Sequence, residues 1–249
     1  MRVGRVHRGL LACGRFFFKY RNLAFPLVSL VLVVLSRPWV PGDDPRIAVG
    51  FTVAGIVLAA VGETWRILVV GLVYIKRGGK KKKVYADTLV QEGIFAHSRN
   101  PIYLGNLLIL VGLTVVYHSA LFAAVGVPFY LFAYWTIILA EEDYLRGRFG
   151  DAYDDYCRRV NRLFPSLKGL GRTMRSMPFN WKRLANKEYS TLCSFLTMLL
   201  GLVGWKQVVL YGYEASVPTL LLLGALWVPV LVLVIVIKVL KVRGRLSYR

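Results

Sequence analysis

Apolar residues run almost unbroken through several stretches of this chain, and short segments rich in arginine and lysine separate them. Runs approaching the roughly 20 residues that cross a bilayer as a helix lie at about 23–37, 47–75, 101–117, 120–140, 190–210 and 217–238. Six spans are therefore predicted, and the fold class is all-α: a polytopic transmembrane helical bundle. Only "YHS" separates the third and fourth runs, which predicts a tight antiparallel hairpin. There is no internal repeat and no inverted symmetry between the halves of the kind transporters carry.

Composition reinforces this pattern. The 249 residues are 56% apolar and carry a formal charge of +20, a pairing foreign to soluble domains of this length. Such a charge raises the question of nucleic acid. No nucleic-acid-binding motif accompanies it, and the basic residues fall between the apolar runs, so no nucleic-acid partner is expected. Their placement instead orients the chain. Six basic residues precede the first span, seven lie in "KRGGKKKK" with Arg99, eleven lie in 141–188, and five lie from Lys238 onward. The opposite side holds only Arg37 and Arg46. Six spans put every basic segment on one side, and the positive-inside rule makes that side cytosolic, with both termini. The segment "SRPWVPGDDP" offers no small-x-small cleavage site, so the first span is expected to be an uncleaved anchor.

Four regions follow: a basic segment with the first span (1–47), a core (48–168), a basic interfacial segment (169–188) and a two-span hairpin with a basic tail (189–249). Pro178, Phe179 and Trp181 suit the third to the membrane interface. The lysines at 80–83 lack the spacing of a phosphate loop and predict a solvated anchor. Cys13, Cys157 and Cys193 show no metal-ligand spacing, and His7, His97 and His118 are scattered, so no metal site is expected. Gly150 is expected to break the charged segment after the fourth span, with Asp151 opening a second helix.

Candidate chemistry lies at the ends of the spans. In "FAHSRNPIYLGN", Asn100 suits a helix N-cap and Pro101 the first helical position, so local physics accounts for both. Arg99 also fits as an interface marker. Glu141 and Glu142 are adjacent carboxylates that close twenty nearly uncharged residues, where repulsion and desolvation are costly; pairing with Arg146 and Arg148 is the plain alternative. Glu63 and Arg66 share a face inside the second span, as a functional group or as a mutually neutralising pair. Arg158 and Arg159 form a local cationic group or a solvated helix face.

The order "RNPIYLGN", an apolar hairpin, "EEDYL", "FGDAYDDYCRRV" and "LFP" resembles the integral-membrane methyltransferases, a family that includes isoprenylcysteine carboxyl methyltransferases and phospholipid N-methyltransferases. "GETWRI" is similar to the family's second-span Gly-x-x-x-Arg signature, and asparagine stands at position 100 where the family usually has histidine. The resemblance covers about residues 48 to 168 and implies methyl transfer from S-adenosylmethionine to a lipid or isoprenoid-type acceptor, in a pocket at the cytosolic face. It implies a cofactor-binding group of Arg99, Asn100, Pro101, Tyr103, Gly105, Glu141, Glu142 and Tyr153. The glutamates would take the ribose or amino group, and Arg99 the carboxylate. Arg66, Arg158 and Arg159 would serve the reaction itself, the last two holding an anionic acceptor. Two other readings remain: a sterol-type reductase using NADPH, and a lipid-binding or transport protein.

Overall fold

A computed structural model describes residues 4–40, 42, 44–72, 77–80, 83–86 and 88–246. The architecture is a polytopic helical bundle. Among the described residues, five helices are long and apolar enough to cross a membrane, and a shorter apolar helix, Pro101–Tyr117, makes the sixth predicted element. The chain forms two compact units that interleave along its length. One comprises Met1–Leu35, Val73–Leu104 and Leu121–Met177, and the other Ser36–Leu72, Gly105–Ala120 and Pro178–Arg249.

In the first unit, α1 (Arg5–Leu35) packs against α4 (Val127–Phe149). A Cβ on Gly14 would collide with the Thr136 carbonyl and would sit 2.9 Å from Ala140 Cβ, so the missing side chain permits the crossing. Rings from both helices interlock beside it: Phe25 lies edge-on to Tyr130 and Tyr134, with centroids 5.2 and 5.3 Å away. Tyr130 donates its hydroxyl hydrogen to the Phe25 carbonyl at 2.7 Å. Helix α1 begins well before the predicted span. Its first turns are amphipathic: Leu11 and Phe18 are buried while Arg8, Arg15 and Lys19 are exposed, so the helix continues out of its apolar stretch.

The same unit holds an antiparallel ribbon of β1 (Arg77–Lys80) and β2 (Lys83–Ala86), in register Arg77↔Ala86 to Lys80↔Lys83. Lys80 and Lys83 of the lysine run are thus paired across this ribbon, and residues 81 and 82 lie outside the described residues. Helix α4 stops at Phe149, and α5 (Asp151–Arg159) starts after Gly150, whose φ of 53° favours glycine. This is the break expected from the sequence. A short helix, α6 (Leu170–Ser176), follows.

In the second unit, α2 (Pro45–Leu72) and α3 (Pro101–Tyr117, whose first turn belongs to the first unit) approach at backbone distance. A Cβ on Gly55 would lie 2.7 Å from the Gly112 carbonyl oxygen, and one on Gly62 equally close to that of Gly105. Small residues at such spacings let membrane helices gain van der Waals contact where lipid supplies no hydrophobic drive. Helix α7 (Trp181–Tyr211) packs on α2 and turns at Gly212, with φ of 84°, into α8 (Tyr213–Val242). Residues 181–188, expected as interfacial, are the opening turns of α7. Asn180 caps it by accepting the Arg183 backbone N–H at 2.8 Å.

Candidate active site

A seam of hydrogen bonds positions the first unit's polar groups. The segment before α3 lies along the extended chain after α5: Arg99 N–H donates to the Asn161 carbonyl at 2.9 Å, and Ser166 N–H to the His97 carbonyl at 2.9 Å. Side chains add to it. Ser98 Oγ donates to the Leu163 carbonyl at 2.8 Å, and the Asn100 amide to the Arg162 carbonyl at 3.0 Å. Asn100, read as a local cap, thus makes a long-range tie with its side chain. His97 donates from Nδ1 to the Ser166 carbonyl at 2.9 Å, and its Nε2 shares a hydrogen bond with Thr173 Oγ1 at 3.0 Å.

This seam places Arg99 beside α4. Its Nη2 lies 3.4 Å from Glu142 Oε1, and both side chains are buried. Arg162 grips the same carboxylate bidentately, from Nη2 to Oε2 at 2.8 Å and from Nε to Oε1 at 3.2 Å. Glu142 is thus a bridge between two guanidinium groups. Glu141 points elsewhere: its Oε1 accepts the Tyr103 hydroxyl at 2.9 Å, and Arg21 Nη1 of α1 donates to the same hydroxyl at 3.3 Å. Three guanidinium groups and two carboxylates gather here, leaving one net positive charge. The Nε of Arg99 is buried with no hydrogen-bond partner among the described residues, a donor waiting for an acceptor.

Arg158 and Arg159 stand outside this network. Arg158 pairs with Asp155 one turn back, and Arg159 donates to Gln91 Oε1 at 2.9 Å, both at the surface. Arg162, which sequence reasoning passed over, is the one that turns inward. The helix ends at Arg159, and Val160 is extended, with φ of −123° and ψ of 131°, which redirects the next residues. Tyr153 is buried with Leu145, Tyr156 and Ala86, under the Arg146 guanidinium at 5.8 Å. Tyr156 anchors α5 by donating to the Phe95 carbonyl at 2.7 Å.

Arg66 organises the second unit's polar group. Its Nε donates to Glu188 Oε1 at 2.9 Å, its Nη2 meets the same oxygen, and its Nη1 meets Asn106 Oδ1. Glu63 Oε2 lies 3.7 Å from Arg66 Nε, as the shared helix face predicts. Glu188 and Asn106 escaped the sequence reading because each is distant along the chain. Gly105 makes room for this group: a Cβ there would lie 2.5 Å from Arg66 Cγ and 2.8 Å from the Gly62 carbonyl oxygen.

Apolar helices with ionisable clusters at buried positions define an integral membrane protein with polar sites inside it. Residues 46–152 match the model of the phospholipid methyltransferase family, in agreement with the integral-membrane methyltransferases that the motifs resemble. The chain is 31% identical over 144 residues to the nickel-cobalt-cadmium resistance protein NccN of Alcaligenes xylosoxydans xylosoxydans, across 57% of this chain and 62% of that protein. It is 33% identical over 113 residues to the cobalt-zinc-cadmium resistance protein CzcN of Cupriavidus metallidurans, across 45% and 47%. The chain thus spans about half to three-fifths of the length of these curated relatives. No solved structure matches it.

Proposed function

We propose that this chain is an S-adenosylmethionine-dependent methyltransferase that modifies a lipid or isoprenoid-type acceptor at the cytosolic membrane face. The observation that carries this reading is the Arg99–Glu142–Arg162 bridge beside the Tyr103–Glu141 pair. A zwitterionic donor needs cations for its carboxylate and acceptors for its amino group and hydroxyls, and this network offers both. The unpartnered Nε of Arg99 and the half-exposed guanidinium of Arg162 suit the carboxylate. Glu141 suits the amino group or ribose, and the Tyr103 and Tyr134 rings, 5.7 Å apart, lie beside it.

When bound, the donor supplies a methyl group on a sulfonium, displaced in line by the acceptor's nucleophile so that a neutral thioether departs. The protein's own part is to orient and to exclude water. Arg99 is held rigidly by its backbone bond to Asn161 and by Glu142, so little ordering remains to be done on binding. A carboxylate or thiolate acceptor needs no base, whereas an amine must arrive unprotonated. Arg158 and Arg159, exposed and basic, suit contact with lipid phosphates. The names of the two relatives suggest a setting, the modification of a membrane component in cells that meet toxic metal ions.

Incubation of membranes containing the protein with methyl-labelled S-adenosylmethionine tests the reading. Label is expected in the lipid fraction, alkali-labile if an ester and stable if on an amine. Absence of transfer, together with calorimetric binding of NADPH and not of S-adenosylmethionine, would overturn it in favour of a reductase.

A further inference from the structure

Helix α7 carries one cation at its far end from Glu188. Lys206 follows Glu188 by eighteen residues, about 27 Å of helix at 1.5 Å per residue, close to the thickness of a bilayer's hydrocarbon core. It is 6% exposed. Its ammonium donates to Thr52 Oγ1 at 2.6 Å and to the Val116 carbonyl at 2.9 Å. Thr52 spends its own hydrogen on the Ala48 carbonyl at 2.7 Å, so both partners of Lys206 are neutral acceptors. No carboxylate among the described residues pairs with it, and one of its three N–H donors is unused. The closing carbonyls of α3 offer only the partial negative charge of a helix C-terminus.

The turn that follows Val116 holds a second unsatisfied group. His118 is 7% exposed, and neither ring nitrogen has a hydrogen-bond partner among the described residues. Its backbone sits at φ of 54°, a left-handed conformation that is uncommon outside glycine and asparagine. Two contacts hold it there: its carbonyl accepts the Trp39 N–H at 3.0 Å, and its ring meets Phe51 edge-on with centroids 6.0 Å apart. Burial, reinforced by the Lys206 charge, pushes the imidazole down to about 4, so the ring is neutral and carries one N–H donor.

An uncompensated ammonium and an idle imidazole donor on adjoining parts of one unit are costly unless something answers them. We propose that Lys206 and His118 together bind a small monovalent inorganic anion such as chloride, at the end of α2, α3 and α7 remote from Arg66 and Glu188. One net positive charge calls for one negative charge. The proposal uses none of the residues assigned to methyl transfer and stands whether or not that reaction is the right one.

Equilibrium dialysis of the purified full chain in detergent, with radiolabelled chloride and with gluconate holding ionic strength constant, tests this. One saturable site displaced by bromide is expected in the wild type. Lys206→Met should abolish it, Lys206→Arg should keep it, and His118→Gly, which suits the left-handed backbone and has no side-chain donor, should weaken it roughly tenfold through loss of one donor to a charged group. No saturable chloride binding by the wild type, or undiminished binding in folded Lys206→Met, overturns the proposal. If Lys206→Met does not fold, undiminished binding by His118→Gly overturns the assignment of His118.

Discussion

Glu142→Gln removes one charge while nearly preserving shape, so it isolates what the bridge between Arg99 and Arg162 contributes. The two arginines lose differently. The Arg162 side chain is 45% exposed and can return to water, so its share is at most about 1 kcal/mol. The Arg99 side chain is 10% exposed and loses its counter-charge in a dry setting, where breaking a buried pair costs about 3–5 kcal/mol. Glu142→Gln should therefore destabilise the protein by about 3–5 kcal/mol, and Arg99→Gln by less, because Arg162 still holds the Glu142 carboxylate. The double variant leaves neither charge stranded and should recover about 2 kcal/mol or more of the summed losses. Denaturant unfolding in detergent measures all three. Losses that add within about 0.5 kcal/mol would refute the pairing, since independent sites behave that way. Calorimetry adds a second reading, because Arg99→Gln should weaken S-adenosylmethionine binding roughly ten- to hundredfold through a lost charged hydrogen bond.

Gly105→Ala should cost about 1–3 kcal/mol in the same unfolding assay, because its Cβ would press on Arg66 Cγ at 2.5 Å and on backbone; a neutral result would show that α2 and α3 separate freely. Stability should fall as pH drops from 6.5 towards 4, since the fold favours neutral His118 and that contribution is complete only above the unfolded value; the loss is on the order of 2 kcal/mol. His118→Asn should flatten that slope, and an unchanged slope would assign it to other groups. Cysteines placed at Gly42 and Tyr213 should react with an impermeant thiol reagent from outside the cell, and one at Gly79 should not; the reverse pattern would invert the proposed orientation.

The helices were legible because lipid demands long apolar runs, and their lengths announce themselves. Their ends were less so. Helix α1 continues through Arg8, Arg15 and Lys19 because those side chains face outward, and an average over hydropathy misses such a face. Asn180 was an available N-cap for α7, hidden by the polarity of the turn it opens. At the candidate site, Glu63 and Arg66 could be paired from their three-residue spacing, whereas Glu188 reaches Arg66 across 122 positions. Arg162 was obscured differently: Arg158 and Arg159 made the more obvious cationic pair, and only the end of α5 turns attention past them. Lys206 stood alone in an apolar run, a signal of buried charge that spacing rules do not weigh.

The hydrogen-bonded seam between residues 97–100 and 161–166 also sets an order of events during synthesis. Arg99 leaves the ribosome 43 residues before Glu142 and 63 before Arg162. At about 5–20 residues per second, the guanidinium waits roughly 3 to 13 s for its partners. Until then it faces a half-built bilayer segment alone, and the translocon has to admit the following helix beside an unanswered charge. A nascent chain stalled before residue 161 would hold every residue of the family-matched segment and still lack the tie that closes it.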